Sequence, residues 1–87
     1  MPKVTRKVLI KNKQGLHARP AALFVQLANK FDSLITVSKD KEQINGKSIM
    51  GILMLAAERG SYINIIAEGN DAEEAIKELE TLVSKEE

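Results

Sequence analysis

The sequence predicts an α+β fold, a four-stranded antiparallel sheet with three helices layered on one face, in the order βαββαβα. Three observations carry this reading. Four short segments are β-branched or alternate apolar with polar residues, three others repeat apolar residues at helical spacing, and Gly, Asn, Asp or charged turns separate them. The 87 residues fit one domain with a single core, over 1–87, and contain no repeat, linker or low-complexity stretch.

The first strand runs from Val4 to Ile10, with Val8 and Ile10 on one side and Lys7 and Leu9 on the other. A polar loop, Lys11 to Leu16, leads to a helix from Ala18 to about Lys30, whose Ala21, Phe24, Val25, Ala28 and Phe31 form a core stripe. Leu34 to Ser38 and Glu42 to Asn45 make a hairpin across the turn Lys39, Asp40, Lys41. Ser48 is placed to cap a second helix from Ile49 to Leu55, closed by Glu58, Arg59 and Gly60. That helix is apolar almost all round. A helix lying on a sheet buries one stripe, so part of Ile49, Met50, Leu53 and Met54 should stay exposed as a small apolar patch. Ser61 to Ala67 alternates Ile63, Ile65 and Ala67 against Tyr62, Asn64 and Ile66, the fourth strand. After the Gly69–Asn70 turn, Asp71 and Glu74 have the spacing of a capping box for the last helix, with core positions Ala72, Ala75, Ile76, Leu79, Leu82 and Val83. The far sheet face would carry Leu9, Leu34, Thr36, Tyr62, Asn64 and Ile66, a mixed surface for water or self-association.

Composition excludes several function classes. There is no cysteine, so disulfides, thiolate metal sites and thiol catalysis are out, and a reducing cytoplasm is the expected setting. No metal and no cofactor is expected. No apolar run approaches the roughly 20 residues of a membrane span, and Lys3, Arg6 and Lys7 sit where a signal peptide would be apolar. The expectation is a soluble protein that is not exported. The net charge of +1 hides an asymmetry: residues 1–31 carry seven Lys or Arg and no acid, and residues 71–87 carry two bases and seven acids. With two Phe and one Tyr there is no aromatic set for base stacking, so nucleic acid is not an expected partner.

The chemistry concentrates in Gln14, Gly15, Leu16, His17, Ala18, Arg19 and Pro20, which hold the only histidine. Gly15 can take a positive φ and Pro20 needs no N–H partner, so chain reversal and helix start fall together. His17 then precedes a helix N-terminus, where free N–H groups and the helix dipole favour anions, and Arg19 adds a forked cation. No second histidine, no cysteine and no acid in the first 31 residues is present to build a triad. A neutral imidazole is a competent nucleophile toward phosphorus, and the resulting phosphate would form where helix amides and Arg19 neutralise it. That describes a carrier of a phosphoryl group rather than a free-standing enzyme.

Gly15-Leu16-His17-Ala18-Arg19-Pro20-Ala21-Ala22, Lys47-Ser48-Ile49-Met50-Gly51 and Ala67-Glu68-Gly69 together resemble the histidine-containing phosphocarrier (HPr) family of the bacterial phosphotransferase system. The resemblance covers essentially the whole chain. It implies an open-faced β-sandwich and a phosphoryl group received from Enzyme I, charged by phosphoenolpyruvate, then passed to Enzyme IIA domains during sugar uptake. By this resemblance His17 carries phosphate on Nδ1, Arg19 stabilises it, and Ala18, Ala22, Gln26, Ile49, Met50 and Leu53 dock partners. Ser48 matches a serine phosphorylated in some bacteria by HPr kinase/phosphorylase, in a scheme that includes a catabolite-control repressor; its other reading is a plain N-cap. Ile49-Met50-Gly51 resembles sugar-branch members and Leu53-Met54-Leu55-Ala56-Ala57 resembles the nitrogen-related branch, so the branch stays open. A regulatory paralogue lacking the active histidine, and a small-ligand regulatory α+β domain, are the readings His17 and Arg19 argue against. The expected state is a monomer in the cytoplasm.

Overall fold

Alternation in the strands and helical spacing elsewhere give seven elements in the computed structural model, which describes residues 1–85. In order they are β1 (Lys3–Leu9), α1 (Ala18–Ala28), β2 (Leu34–Lys39), β3 (Glu42–Asn45), α2 (Ile49–Leu55), β4 (Tyr62–Glu68) and α3 (Ala72–Val83). The sheet order is β1-β4-β2-β3 and every neighbouring pair is antiparallel. The period of two decides which face is covered: Val8 pairs with Ile63, and Ile65 with Val37, and these side chains point at the helices and are buried. Phe24 of α1, Ile52 of α2, and Ile76 and Leu79 of α3 complete the core from above, each almost fully excluded from water. This is the open-faced sandwich expected of the sequence.

The uncovered face carries Lys7, Leu9, Leu34 and Tyr62, with the Lys7 ammonium 4.7 Å from the Tyr62 ring centroid. Edge strand β1 also holds α3: Arg6 pairs with Glu80 at 2.7 Å, and because both side chains stay wet the pair contributes only about 0.2–1 kcal/mol.

Element ends differ from the sequence reading where tertiary contacts override local pattern. β1 stops at Leu9, although the Ile10 amide still donates to Ser61 O at 2.9 Å, and β4 is displaced one residue toward Glu68. α1 ends at Ala28 rather than near Lys30, since the Lys30 and Phe31 amides turn back to Leu27 O and Ala28 O in the tighter three-residue pattern. α2 spans Ile49–Leu55 as expected, but it is closed at Ala56 rather than by Glu58 to Gly60, because Ala56 takes a left-handed conformation at φ 50°. For a residue with Cβ that conformation costs roughly 1–2 kcal/mol, and the buried contact of Ala57 described below offsets it.

The capping box expected at Asp71 and Glu74 is not formed. Asp71 makes no side-chain cap; its carboxylate instead accepts from the Asp32 amide at 2.8 Å, the Ser33 amide at 3.0 Å and the Ser33 hydroxyl at 2.5 Å. The start of β2 is thereby tied to the start of α3. These donors, the Ser33 hydroxyl foremost and the Asp32 amide next, hold the Asp71 carboxyl below its ordinary value of 3.8. A carboxylate with a depressed native pKa stabilises the fold above its unfolded pKa and loses that contribution as pH falls through the native one. Melting temperature should therefore fall as pH drops from about 5 to about 2, and Asp71→Asn should lower it at neutral pH while flattening the acid slope. Parallel melts of the two proteins across that range check this; equal slopes would remove Asp71 from the acid response.

Candidate functional site

The loop before α1 is built on Asn12, whose side-chain carbonyl accepts from the Gln14 amide at 2.8 Å and whose main-chain carbonyl accepts from Gly15 at 3.0 Å. Gly15 then takes φ 66°, and a Cβ there would stand 2.5 Å from Ala57 O. Glycine is required twice over, by conformation and by contact. The Leu16 amide donates to the same Ala57 carbonyl at 2.8 Å, and the Leu16 side chain is buried. The loop is thus fastened to the turn that follows α2.

Anchored this way, the chain presents His17 as the N-cap residue of α1 with extended backbone, φ −91° and ψ −168°. Its carbonyl accepts from the Ala21 amide at 2.7 Å, which starts the helical ladder. Its ring makes no capping bond and is exposed. In the first turn the amides of Ala18 and Arg19 have no intrahelical acceptor and Pro20 has no N–H, so the helix end offers donors and positive potential. No acidic residue lies in that turn to cancel it. Arg19 is exposed, and among the described residues it has no ion-pair partner. An exposed nucleophile, two directed amides and an uncommitted guanidinium at one helix end can accept a phosphoryl group and hold its charge. Among the described residues no cluster of three or more His, Asp or Glu side chains is placed to hold a metal ion.

Ser48 caps α2, its hydroxyl accepting from the Gly51 amide at 3.2 Å. The segment before it is pinned: the Lys47 ammonium donates to Phe31 O at 2.7 Å, and the Asn29 amide group donates to Lys47 O at 3.3 Å. α2 buries Ile52 and Leu55 and leaves Ile49, Met50, Leu53 and Met54 exposed, Met50 and Met54 by about two thirds. On α1, Ala18 and Gln26 are exposed and Ala22 is half-buried, at successive four-residue steps. Leu23, exposed by nearly half, lies beside Arg19 and Pro20 on the side of α1 that faces the end of α3, and is absent from the sequence reading. Its position between core residues Ala21 and Phe24 but off their stripe was the available clue.

Two ties fix how these groups sit relative to one another. The N-terminal end of α1 is bonded to the turn after α2 through Leu16 and Ala57, while the C-terminal end of α1 is bonded to the segment before α2 through Asn29 and Lys47. α1 and α2 pack together and run in opposite directions. His17 and Ser48 therefore mark opposite ends of the pair, separated by the length of α2, roughly 10 Å at 1.5 Å per residue.

Comparison with known proteins adds one decisive match: residues 4–85 fit the family described as the PTS HPr component phosphorylation site. The chain belongs to the HPr family. Among HPr relatives, the HPr-like protein Crh of Halalkalibacterium halodurans is 52% identical over 83 residues, 95% of this chain and 99% of that protein. The crystal structure of phosphocarrier protein HPr from Bacillus anthracis superposes with a TM-score of 0.91 at 52% identity, covering 93% of this chain and 96% of that one. Crh of Bacillus subtilis, described as a catabolite repression protein and solved as a dimer with a swapped domain, gives a TM-score of 0.78 at 47% identity, covering 95% of each chain. HPr phosphocarriers and HPr-like Crh proteins are thus both close to this sequence.

Proposed function

We propose that this chain is a phosphocarrier of the phosphoenolpyruvate-dependent phosphotransferase system. The observation that carries the reading is His17, exposed and uncommitted at the N-terminus of α1 beside Arg19. Nδ1 of the neutral ring attacks the phosphorus held by Enzyme I; the new N–P bond forms as the bond to the donor breaks. The charge of the transferred group is met by the first-turn amides and the Arg19 guanidinium. The reverse exchange hands the group to an Enzyme IIA domain, and Ala18, Ala22, Gln26, Ile49, Met50 and Leu53 form the docking surface for both partners. Such a protein works as a cytoplasmic monomer.

The kinship with Crh supports a second role at Ser48, phosphorylation by an HPr kinase/phosphorylase and recognition by a catabolite-control repressor. A purely regulatory paralogue would have no use for His17, which is why the carrier reading is preferred. Incubation with Enzyme I and phosphoenolpyruvate, followed by mass spectrometry, tests the choice: a carrier acquires one acid-labile phosphate, and a regulatory module acquires none.

Arg19→Ala should slow that transfer about tenfold to a hundredfold, the worth of one charge-assisted hydrogen bond to phosphate, with the melting temperature unchanged. Rapid-quench labelling by Enzyme I reads the rate. An unaltered rate would leave Arg19 as surface charge.

A further inference from the structure

Between the His17 loop, α1 and the end of α3 lies a cleft of about 440 Å³, within the range of small-molecule sites. Three cations from three different parts of the chain line it: Lys13 from the loop, Arg19 from the first turn of α1 and Lys85 beyond α3. No carboxylate is among the described residues that line it. Leu16, Leu23 and Leu82 contribute apolar wall, so the cleft offers an apolar bed edged by positive charge.

Among the described residues no acid pairs with these three cations; a neutral apolar ligand would use only the bed and a bare anion only its charged edge, so the combination fits a molecule with both parts. We infer that the cleft binds an amphipathic anion, a carboxylate or phosphate monoester head set among Lys13, Arg19 and Lys85 with its hydrocarbon chain over Leu16, Leu23 and Leu82. Arg19 belongs to this cleft and also to the phosphoryl site, so occupation ties up the guanidinium that would receive the phosphoryl charge. The ligand is then an inhibitor of transfer to His17. That last step rests on the phosphocarrier reading; the binding itself does not.

Titrations of the labelled protein followed by amide NMR shifts, with octanoate, octyl phosphate, octanol and inorganic phosphate as probes, test the binding. The two amphipathic anions should move the amides of Leu16, Leu23 and Leu82, their relative affinities separating a carboxylate from a phosphate preference. Octanol and inorganic phosphate should bind at least about fivefold more weakly, and Lys13→Gln with Lys85→Gln should weaken octanoate by a similar factor while leaving transfer to His17 intact. Shifts confined to other surfaces, octanol binding as well as octanoate, or an unchanged double variant would each overturn the site. With the site established by shifts, phosphorylation by Enzyme I should slow in the presence of the bound anion; transfer at full rate would overturn the inhibitory role alone. A chain that accepts no phosphate under any condition would refute the carrier reading and leave the shift result standing.

Discussion

His17→Ala should fold as the parent does and accept no phosphate from Enzyme I. The ring is exposed and caps nothing, and the His17 carbonyl that begins the α1 ladder is main chain and survives the substitution. His17 occupies the N-cap position, but its ring makes no capping bond, so the substitution removes no hydrogen bond or core contact and should shift stability by no more than about 0.5 kcal/mol, leaving the melting curve superimposable. Transfer, by contrast, loses its nucleophile. Arg19 and the helix amides can still bind an anion, but no other side chain nearby can form the N–P bond, and labelling should drop by on the order of 10³-fold or more, to background. Thermal melts paired with mass spectrometry after incubation with Enzyme I and phosphoenolpyruvate read both halves. An acid-labile phosphate retained by the variant would move the chemistry off His17.

The features that could be read from the chain were those with a local cause. Alternation in Ile63, Ile65 and Ala67 and the stripe of Ala21, Phe24 and Ala28 depend only on which face is buried, and all six are buried. The Ser48 cap and the Gly15 turn follow from residue types at fixed offsets, and both are present. What could not be read depends on partners distant in sequence. Asp71 has the spacing of a cap, yet Ser33 and Asp32, nearly forty residues earlier, offer it three donors where its own helix would offer one. Ala56 gives no local sign of a left-handed turn; α2 stops there because the Ala57 carbonyl is claimed by Leu16 across the site. The same contact places His17, so the sequence motif singles out the histidine while the end of α2 fixes where it stands.

Ser48→Asp should weaken docking of Enzyme I about tenfold to a hundredfold without unfolding the domain, and phosphorylation of Ser48 should do the same. Stability is protected by the cap itself. Aspartate accepts from the Gly51 amide as serine does, and a negative charge facing the first turn of α2 is neutral to stabilising, by about 0.3–1 kcal/mol. Binding is not protected. The charge stands beside Ile49 and Met50, which are 42% and 65% exposed, and an incoming apolar partner surface must strip its water without supplying a counter-charge. The antiparallel α1–α2 pair keeps this charge a helix length away from the imidazole, so it acts on association and not on the chemical step. KM for the carrier should therefore rise while kcat of Enzyme I stays level, with Ser48→Ala close to wild type in both. A fall in kcat at constant KM would mean that the charge reaches His17 after all, and three equal affinities would reduce Ser48 to a helix cap.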